Sequence, residues 1–385
     1  MTTGRAGRSV PPAAFAAALT TLPQMGPSRL RAVLAGVDGA PDAAWRAIAH
    51  GALGEGVLRA LRHSDPRALA RVWRDAARGT DPGDVLAACG AADIRVVPLG
   101  DGDYPAVLAT DPEPPAVLFV RGDLAALAHR RAAIVGTRRC TSSGASVAAQ
   151  LGRGLAAAGV AVVSGLALGI DGAAHTGALA ADAAPPVGVV GSGLDVVYPR
   201  RHRALWERVA SRGVLIGEAP PGARPERWRF PARNRIVAAL AEVVVVVESH
   251  ARGGSQHTVD AALERDVPVM AVPGSVRCPA AAGTNLLLAD GVAPVLDARD
   301  VLVALGVPPP PTSRARAAPA TDPIGAALLD ALGDEPASID ELAARTGRPA
   351  PAVAAALHRL QAGGVVHLER GWWRRGSDQS DRAIS

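Results

Sequence analysis

The sequence predicts an α/β fold built on a doubly wound, mostly parallel sheet, with a helical domain before it and a winged helix after it. Three observations predict the sheet. Between about 90 and 305, short β-branched runs alternate with alanine-rich stretches. Four of those runs, at 132, 187, 243 and 267, are near-continuously apolar, as strands buried on both faces of a parallel sheet must be. Glycine-rich turns follow the runs at their carboxyl ends, where open α/β sheets bind ligands.

Taken in order, residues 1–10 carry two arginines and no apolar core, so they read as a disordered start rather than a secretory signal. Residues 11–85 are alanine- and leucine-rich and read as helices, with Trp45 and Trp73 as core anchors. Within them, residues 22–30 resemble the hairpin of a SAM/helix-hairpin-helix-like domain, in which Gly26 would let the backbone approach a phosphate. A plain turn between two helices fits the same residues.

The expected strands of the 86–305 core are 94–98, 132–135, 161–163, 187–190, 214–216, 243–247 and 267–272. The alanine-rich segments 146–158 and 259–265 suit crossover helices, which makes the core extended Rossmann-like. Residues 306–320 hold four consecutive prolines and read as a semi-rigid linker. The 321–375 segment reads as helices at 324–332, 339–345 and 352–360, with a turn at Gly347. A two-strand wing follows at 365–368 and 372–374, joined through Glu369-Arg370-Gly371. Ser338 with Glu341 three residues on is a capping box. Residues 376–385 are a polar tail expected to be disordered.

Hydrophobic residues make up 49% of the 385 and charged residues 20%, and no apolar run is long enough to span a membrane. Three scattered cysteines (Cys89, Cys140, Cys278) give neither a disulfide framework nor a zinc site, and point to the cytoplasm. The net charge is +5 and lysine is absent. GC-rich codon usage accounts for that bias, so charge by itself says little about a partner. It does mean that any anion site must be built from arginine and backbone N–H groups.

The glycine turns carry the chemistry. They are Gly136-Thr137-Arg138-Arg139, then Ser164-Gly165-Leu166-Ala167-Leu168-Gly169-Ile170-Asp171 with His175 beyond, then Gly191-Ser192-Gly193-Leu194-Asp195, then Gly253-Gly254-Ser255 and Pro273-Gly274. None is a P-loop, and the third lacks the last glycine of a dinucleotide fingerprint. Each alone reads equally as an ordinary strand–helix turn, but five on one sheet edge make an anion site. The most specific stretch is 224–235, with Arg224, Arg227, Arg229, Arg233 and Arg235, Trp228 and Phe230, and a single acid. Cations for phosphates and rings for unstacked bases are what a nucleic-acid single strand needs. The plainer reading makes Trp228 and Phe230 core contacts. Asn234 either meets a base edge or caps a helix over 236–241. Asp171 and His175, four apart, share a helix face and read as a structural pair rather than an acid/base couple. No catalytic residue, metal ligand or cofactor is expected.

These motifs together resemble the DprA/Smf family of bacterial DNA-processing proteins. The matching pieces are Tyr104-Pro105, GTR at 136–138, SGLAxGID at 164–171 with His175, and GxGLDxxYP at 191–199. FPxRNRI at 230–236, GGS at 253–255, AVPG at 271–274 and GTN at 283–285 complete them. The resemblance implies a core that binds single-stranded DNA in a basic pocket, forms a homodimer and hands the strand to RecA recombinase during natural transformation, without catalysis. It places the pocket on Arg138, Ser164, Gly165, Phe230, Arg233, Asn234, Arg235, Gly253, Gly254 and Ser255. Gly136, Gly169, Asp171, His175, Gly191, Gly193, Pro273 and Gly274 are then structural loop positions. Where many members carry a pocket lysine, this chain offers Arg224, Arg227 or Arg229 without deciding among them, and Arg224 is counted with the DNA-binding residues. After GGS it reads Gln256-His257-Thr258-Val259 rather than the commoner Leu-Ile-Thr-Ala.

Two other readings compete. A nucleotide phosphoribohydrolase of the lysine-decarboxylase-like group needs a glutamate after its glycine pair, and none stands there. A winged-helix transcription regulator needs a polar recognition helix, and 352–360 offers only His358 and Arg359, with Gln361 just beyond.

Overall fold

Proline punctuates the first ninety residues. Of the helices α1 (Pro12–Thr21), α2 (Pro27–Ala35), α3 (Pro41–His50), α4 (Glu55–Ala60), α5 (Pro66–Arg78) and α6 (Pro82–Ala91), all but α4 open on one. A proline suits the first helical position, where its missing N–H is not needed and its φ is already set. Trp45 and Trp73 are buried as expected, and the Trp73 indole N–H donates to the Pro23 carbonyl at 2.7 Å. That bond fixes the 22–26 turn. Gly26 there has φ of −109° and merely precedes α2, so the plain-turn reading describes its backbone.

This computed structural model describes residues 10–308, 323–333, 335–362, 365–369 and 371–375. The expected disordered start and polar tail, most of the proline-rich linker, and Arg370 of the wing turn fall outside them. The chain forms two compact units, Met1–Pro309 and Pro310–Ser385. The domain boundary expected at 85 falls inside α6. The N-terminal helices share one hydrophobic cluster with Leu166, Val190, Trp206 and Leu215 of the core, so they pack on the sheet layer as part of the first unit.

The core runs β1 (Arg95–Pro98), α7 (Ala106–Ala109), β2 (Val117–Gly122), β3 (Arg130–Val135), α8 (Ser142–Ala157), β4 (Val160–Ser164), α9 (Ile170–Ala181) and β5 (Val187–Val189). It continues through α10 (Arg203–Arg212), β6 (Val214–Gly217), α11 (Arg229–Leu240), β7 (Val243–Val246) and α12 (Gln256–Leu263). It closes with β8 (Val269–Ala271), α13 (Ala282–Ala289), β9 (Ala293–Pro294) and α14 (Ala298–Ala304). Among the described residues these strands form a nine-stranded sheet in the order β1-β2-β6-β5-β4-β3-β7-β8-β9. From β6 to β9 the pairing is parallel; β1 and β2 are antiparallel additions at one edge. All seven expected strands are present. The Val-Leu-Phe-Val run of β2, behind Pro114-Pro115, and the two-residue β9 are additions to the expected set.

Alternation along the central strands shows why they had to be continuously apolar. Ala132, Ile134, Val160, Val162, Val243 and Val245 enter one cluster with α8, α9 and α14. Ala133, Val135, Ala161, Val163, Val244 and Val246 enter another with α11 and α12. Each buried valine or isoleucine stabilises the fold by about 1.5–3 kcal/mol, and both faces are covered.

The second unit holds α15 (Pro323–Leu332), α16 (Ile339–Thr346), α17 (Ala350–Ala362) and the antiparallel pair β10 (Val366–Glu369) and β11 (Trp372–Arg375). Its own cluster gathers Leu328, Leu342, Leu357 and Trp373. Ser338 and Glu341 form the expected reciprocal capping box, and Gly347 ends α16 at φ 64°. This is the expected winged-helix order.

Candidate functional site

The carboxyl ends of β3, β4 and β7 open into a cleft of about 680 Å³. Its floor is the turns at 136–139, 165–171 and 250–255, and its wall is the 225–234 segment with Tyr198. At its centre the exposed Arg138 guanidinium lies 4.7 Å over the Phe230 ring, and the Tyr198 ring stands 5.5 Å from Phe230 on another side. A cation held over a ring is worth about 0.5–1 kcal/mol where exposed, and it presents charge and π-face together.

The FPxRNR segment is helical throughout. α11 begins at Arg229, so Asn234 lies in its second turn and does not cap a helix starting at 236. Pro231 falls in the first turn of α11, where a proline is tolerated because no N–H is needed. Helical spacing then decides which side chains meet the cleft. Phe230, Arg233, Asn234 and Val237 recur at three- and four-residue intervals and line it. Arg235, two residues past Arg233, points the other way. Its guanidinium pairs with Glu218 at 2.6 Å and donates to the Glu113 carbonyl at 2.9 Å, outside the cleft. The pocket expected from the sequence therefore loses Arg235.

Arg233 is 6% exposed, and its Nη1 donates to the Val189 carbonyl. A Cβ on Gly165 would collide with that guanidinium, so glycine is what lets the arginine lie on the turn. Burial pushes the Arg233 guanidinium down to about 10, against the facing Asp171 carboxylate, which favours its charge. Asp171 is pushed up by its own burial and held back by Arg233 and by the N–H groups of Ala167 and Gly165. Arg233 is thus a buried cation at the base of the cleft.

Asp171 and His175 share α9 but not a bond. Asp171 accepts from the Gly165 N–H at 3.1 Å, while His175 Nε2 lies 3.2 Å from the Val187 carbonyl. The expected structural pair is two separate struts. Burial lowers the imidazole to about 4, so His175 is neutral at physiological pH.

The helix N-terminus at β3–α8 is already occupied. Glu248, at the end of β7, accepts from the Thr141 N–H at 2.8 Å and the Thr141 hydroxyl at 2.6 Å. Thr141 in turn accepts from the Gly144 N–H, and a Cβ on Gly144 would clash with the Glu248 carboxyl group. In a dinucleotide-binding sheet the pyrophosphate takes this place.

The other expected residues divide by what they touch. Gly253, Gly254 and Ser255 line the cleft, and Asn234 Nδ2 donates to the Gly254 carbonyl at 3.4 Å. The Ser255 hydroxyl is spent on Ser249, and the buried Ser164 hydroxyl on the Ile134 carbonyl, so Ser164 does not line the cleft. Gly136 would carry a Cβ 2.6 Å from the Glu248 carbonyl, and Gly169, at φ 80°, one against the Thr137 carbonyl. Gly191 backs onto the Arg229 backbone, and the Gly193 N–H donates to the Ala223 carbonyl, holding the 220–224 loop. Pro273-Gly274 lies elsewhere, clasped by the Asn285 amide through both backbone groups of Gly274. Of the arginines open to the lysine's role, Arg227 lines the cleft. Arg224 is exposed outside it, and Arg229 covers the Trp228 ring and pairs with Glu226.

The expected binding residues do not include Tyr198, Arg139, Arg252, His250 or His257, all cleft-lining. Tyr198 sits inside the 191–199 motif; its signal is the aromatic in a glycine-turn motif otherwise short of rings. Among the described residues no three His, Cys, Asp or Glu side chains are placed to hold a metal ion, and no helix is long and apolar enough to cross a membrane.

Comparison with known proteins gives the same outline. The profile of the family described as DNA recombination-mediator protein A matches residues 95–306, and that of the DprA winged helix domain matches 308–369. The DNA processing protein DprA of Bacillus subtilis is 38% identical over 218 residues, covering 56% of this chain and 73% of its own. The X-ray structure of DprA from Streptococcus pneumoniae superposes with a TM-score of 0.62 at 28% identity, over 75% of this chain and 95% of that one. DprA from Helicobacter pylori, described for its single-stranded DNA binding mode, does so with a TM-score of 0.50 at 28% identity, over 55% and 95%.

Proposed function

The chain belongs to the DprA/Smf family, described as DNA recombination-mediator protein A, and from that premise we propose that its cleft binds single-stranded DNA without reading sequence. The observation that carries the proposal is the Arg138–Phe230–Tyr198 group at the cleft centre, flanked by Arg139, Arg227 and Arg252. Ring faces accept any unstacked base, and guanidinium groups grip phosphates bidentately. The Helicobacter pylori relative, described for binding single strands, supports the same reading. Binding is preferred over catalysis because the carboxylates nearest the floor are engaged: Asp171 with Arg233 and backbone N–H groups, Glu248 with Thr141. The reading extends, through the family, to a cytoplasmic homodimer that protects the strand and passes it to RecA recombinase during transformation or recombination.

Fluorescence anisotropy with labelled single-stranded and duplex oligonucleotides tests it. Single strands bind more tightly, and Arg138→Ala weakens them across sequences while flattening the salt dependence by roughly 0.7 per lost phosphate contact. Equal affinity for duplex, or an unchanged salt slope in the variant, would sink the cleft assignment.

A further inference from the structure

The cleft does not end at Tyr198. A narrower bay, lined by Arg138, Leu168, Tyr198, Pro199 and Phe230, adjoins it, and Pro199 leads into the chain that follows. That chain is Arg200-Arg201-His202-Arg203, a single turn running into α10. His202 faces inward, with Nδ1 3.0 Å from the Leu166 carbonyl, and so pins the turn against the loop that forms the cleft floor. The three arginines face outward. All are exposed, and among the described residues none is paired with a carboxylate.

A solvated arginine run normally draws nearby acids to itself, and this one does not. Glu207, one turn along α10, is gripped by Arg121 through contacts of 2.8 and 3.3 Å. Both oxygens of Asp195 take the Gly222 N–H at 2.9 Å. Three exposed cations within four residues repel one another, and a bound polyanion relieves that repulsion. Tyr198 at the cleft edge, itself 39% exposed, stands two residues before the first of them.

We propose that Arg200, Arg201 and Arg203 form a second phosphate track, on which single-stranded nucleic acid continues beyond the cleft. The inference rests on the cleft being the single-strand site. It makes the binding site longer than the cleft, with no base readout along the added length, since the track offers cations and no ring.

The test compares oligothymidylates of roughly 6 and roughly 20 nucleotides, lengths that bracket the site sizes of single-strand binders. The full chain and its R200Q/R201Q/R203Q variant are titrated over a range of salt, with thermal unfolding as a check on folding. The variant should bind the short strand as the parent does. On the long strand its salt slope should fall by roughly 2, three contacts at about 0.7 each. R201Q alone, which removes a single exposed side chain, should lose about a third of that change and serves if the triple variant does not fold. Equal losses on both lengths, or none on the long one, overturn the track. A parent that binds neither length overturns the cleft reading itself, which separates the two failures.

Discussion

At the scale of single residues, what matters at this cleft is which charges are desolvated and which are free. Arg235 follows Phe230 by five residues and Arg138 lies over its ring, yet removing them should have opposite consequences. Arg235→Ala strands Glu218, a carboxylate whose burial already raises its pKa and which Arg235, with help from Arg31, holds down. Breaking a pair this buried costs about 3 kcal/mol. Chemical denaturation should show that loss, while the folded fraction keeps its single-strand affinity. A variant of unchanged stability and weakened binding would mean that Arg235 faces the strand after all. Gly165→Ala should differ in that binding falls as well. Its methyl group meets the buried Arg233 guanidinium, so binding falls several-fold or more and the unfolding midpoint drops with it. A variant that binds as the parent does would show that Arg233 tolerates displacement from the turn.

At the scale of elements, α9 couples the cleft floor to the sheet through a histidine that must stay neutral. In the unfolded chain His175 titrates near 6.5, and in the fold burial lowers it to about 4. Between those values the unfolded state binds the extra proton. Stability therefore rises with pH across this window, is fully present above 6.5, and is lost at up to about 1.4 kcal/mol per unit on acidification. Denaturation at stepwise pH should show the slope, and His175→Gln should flatten it; an unchanged slope would place the acid sensitivity elsewhere. The sheet strands were legible because residues such as Val243 to Val246 are apolar at both parities, which only burial on two faces explains. Helix α11 was not, because Pro231 speaks against a helix in the one turn that tolerates it. The site inherited that error: read as a string, 224–235 offers five interchangeable arginines, whereas read at 100° per residue it offers Arg233 to one side and Arg235 to the other. Side-chain partners across the fold, such as Glu218 for Arg235 or Glu248 for Thr141, lie too far apart in sequence for any local pattern to announce.

For the whole molecule, the hydrophobic clusters respect the division into two units: the three that hold the helices and sheet draw on residues up to Leu305 or Val307, and the fourth lies wholly beyond 323. A chain ending at 308 should therefore unfold cooperatively and bind single strands with the salt slope of the full protein, by calorimetry and anisotropy. A truncated chain that folds but loses the slope would put phosphate contacts on the winged helix. One further property belongs to the molecule as a whole and follows from Glu248. A sheet of this type is where ATP, NAD and their kin ordinarily dock. By keeping its own carboxylate in that berth, the protein carries a permanent internal competitor. Free nucleotides should displace an oligonucleotide poorly even in large excess, and Glu248→Gln should make the cleft susceptible to them. A cofactor seat, closed from within, leaves the neighbouring surface to a polymer.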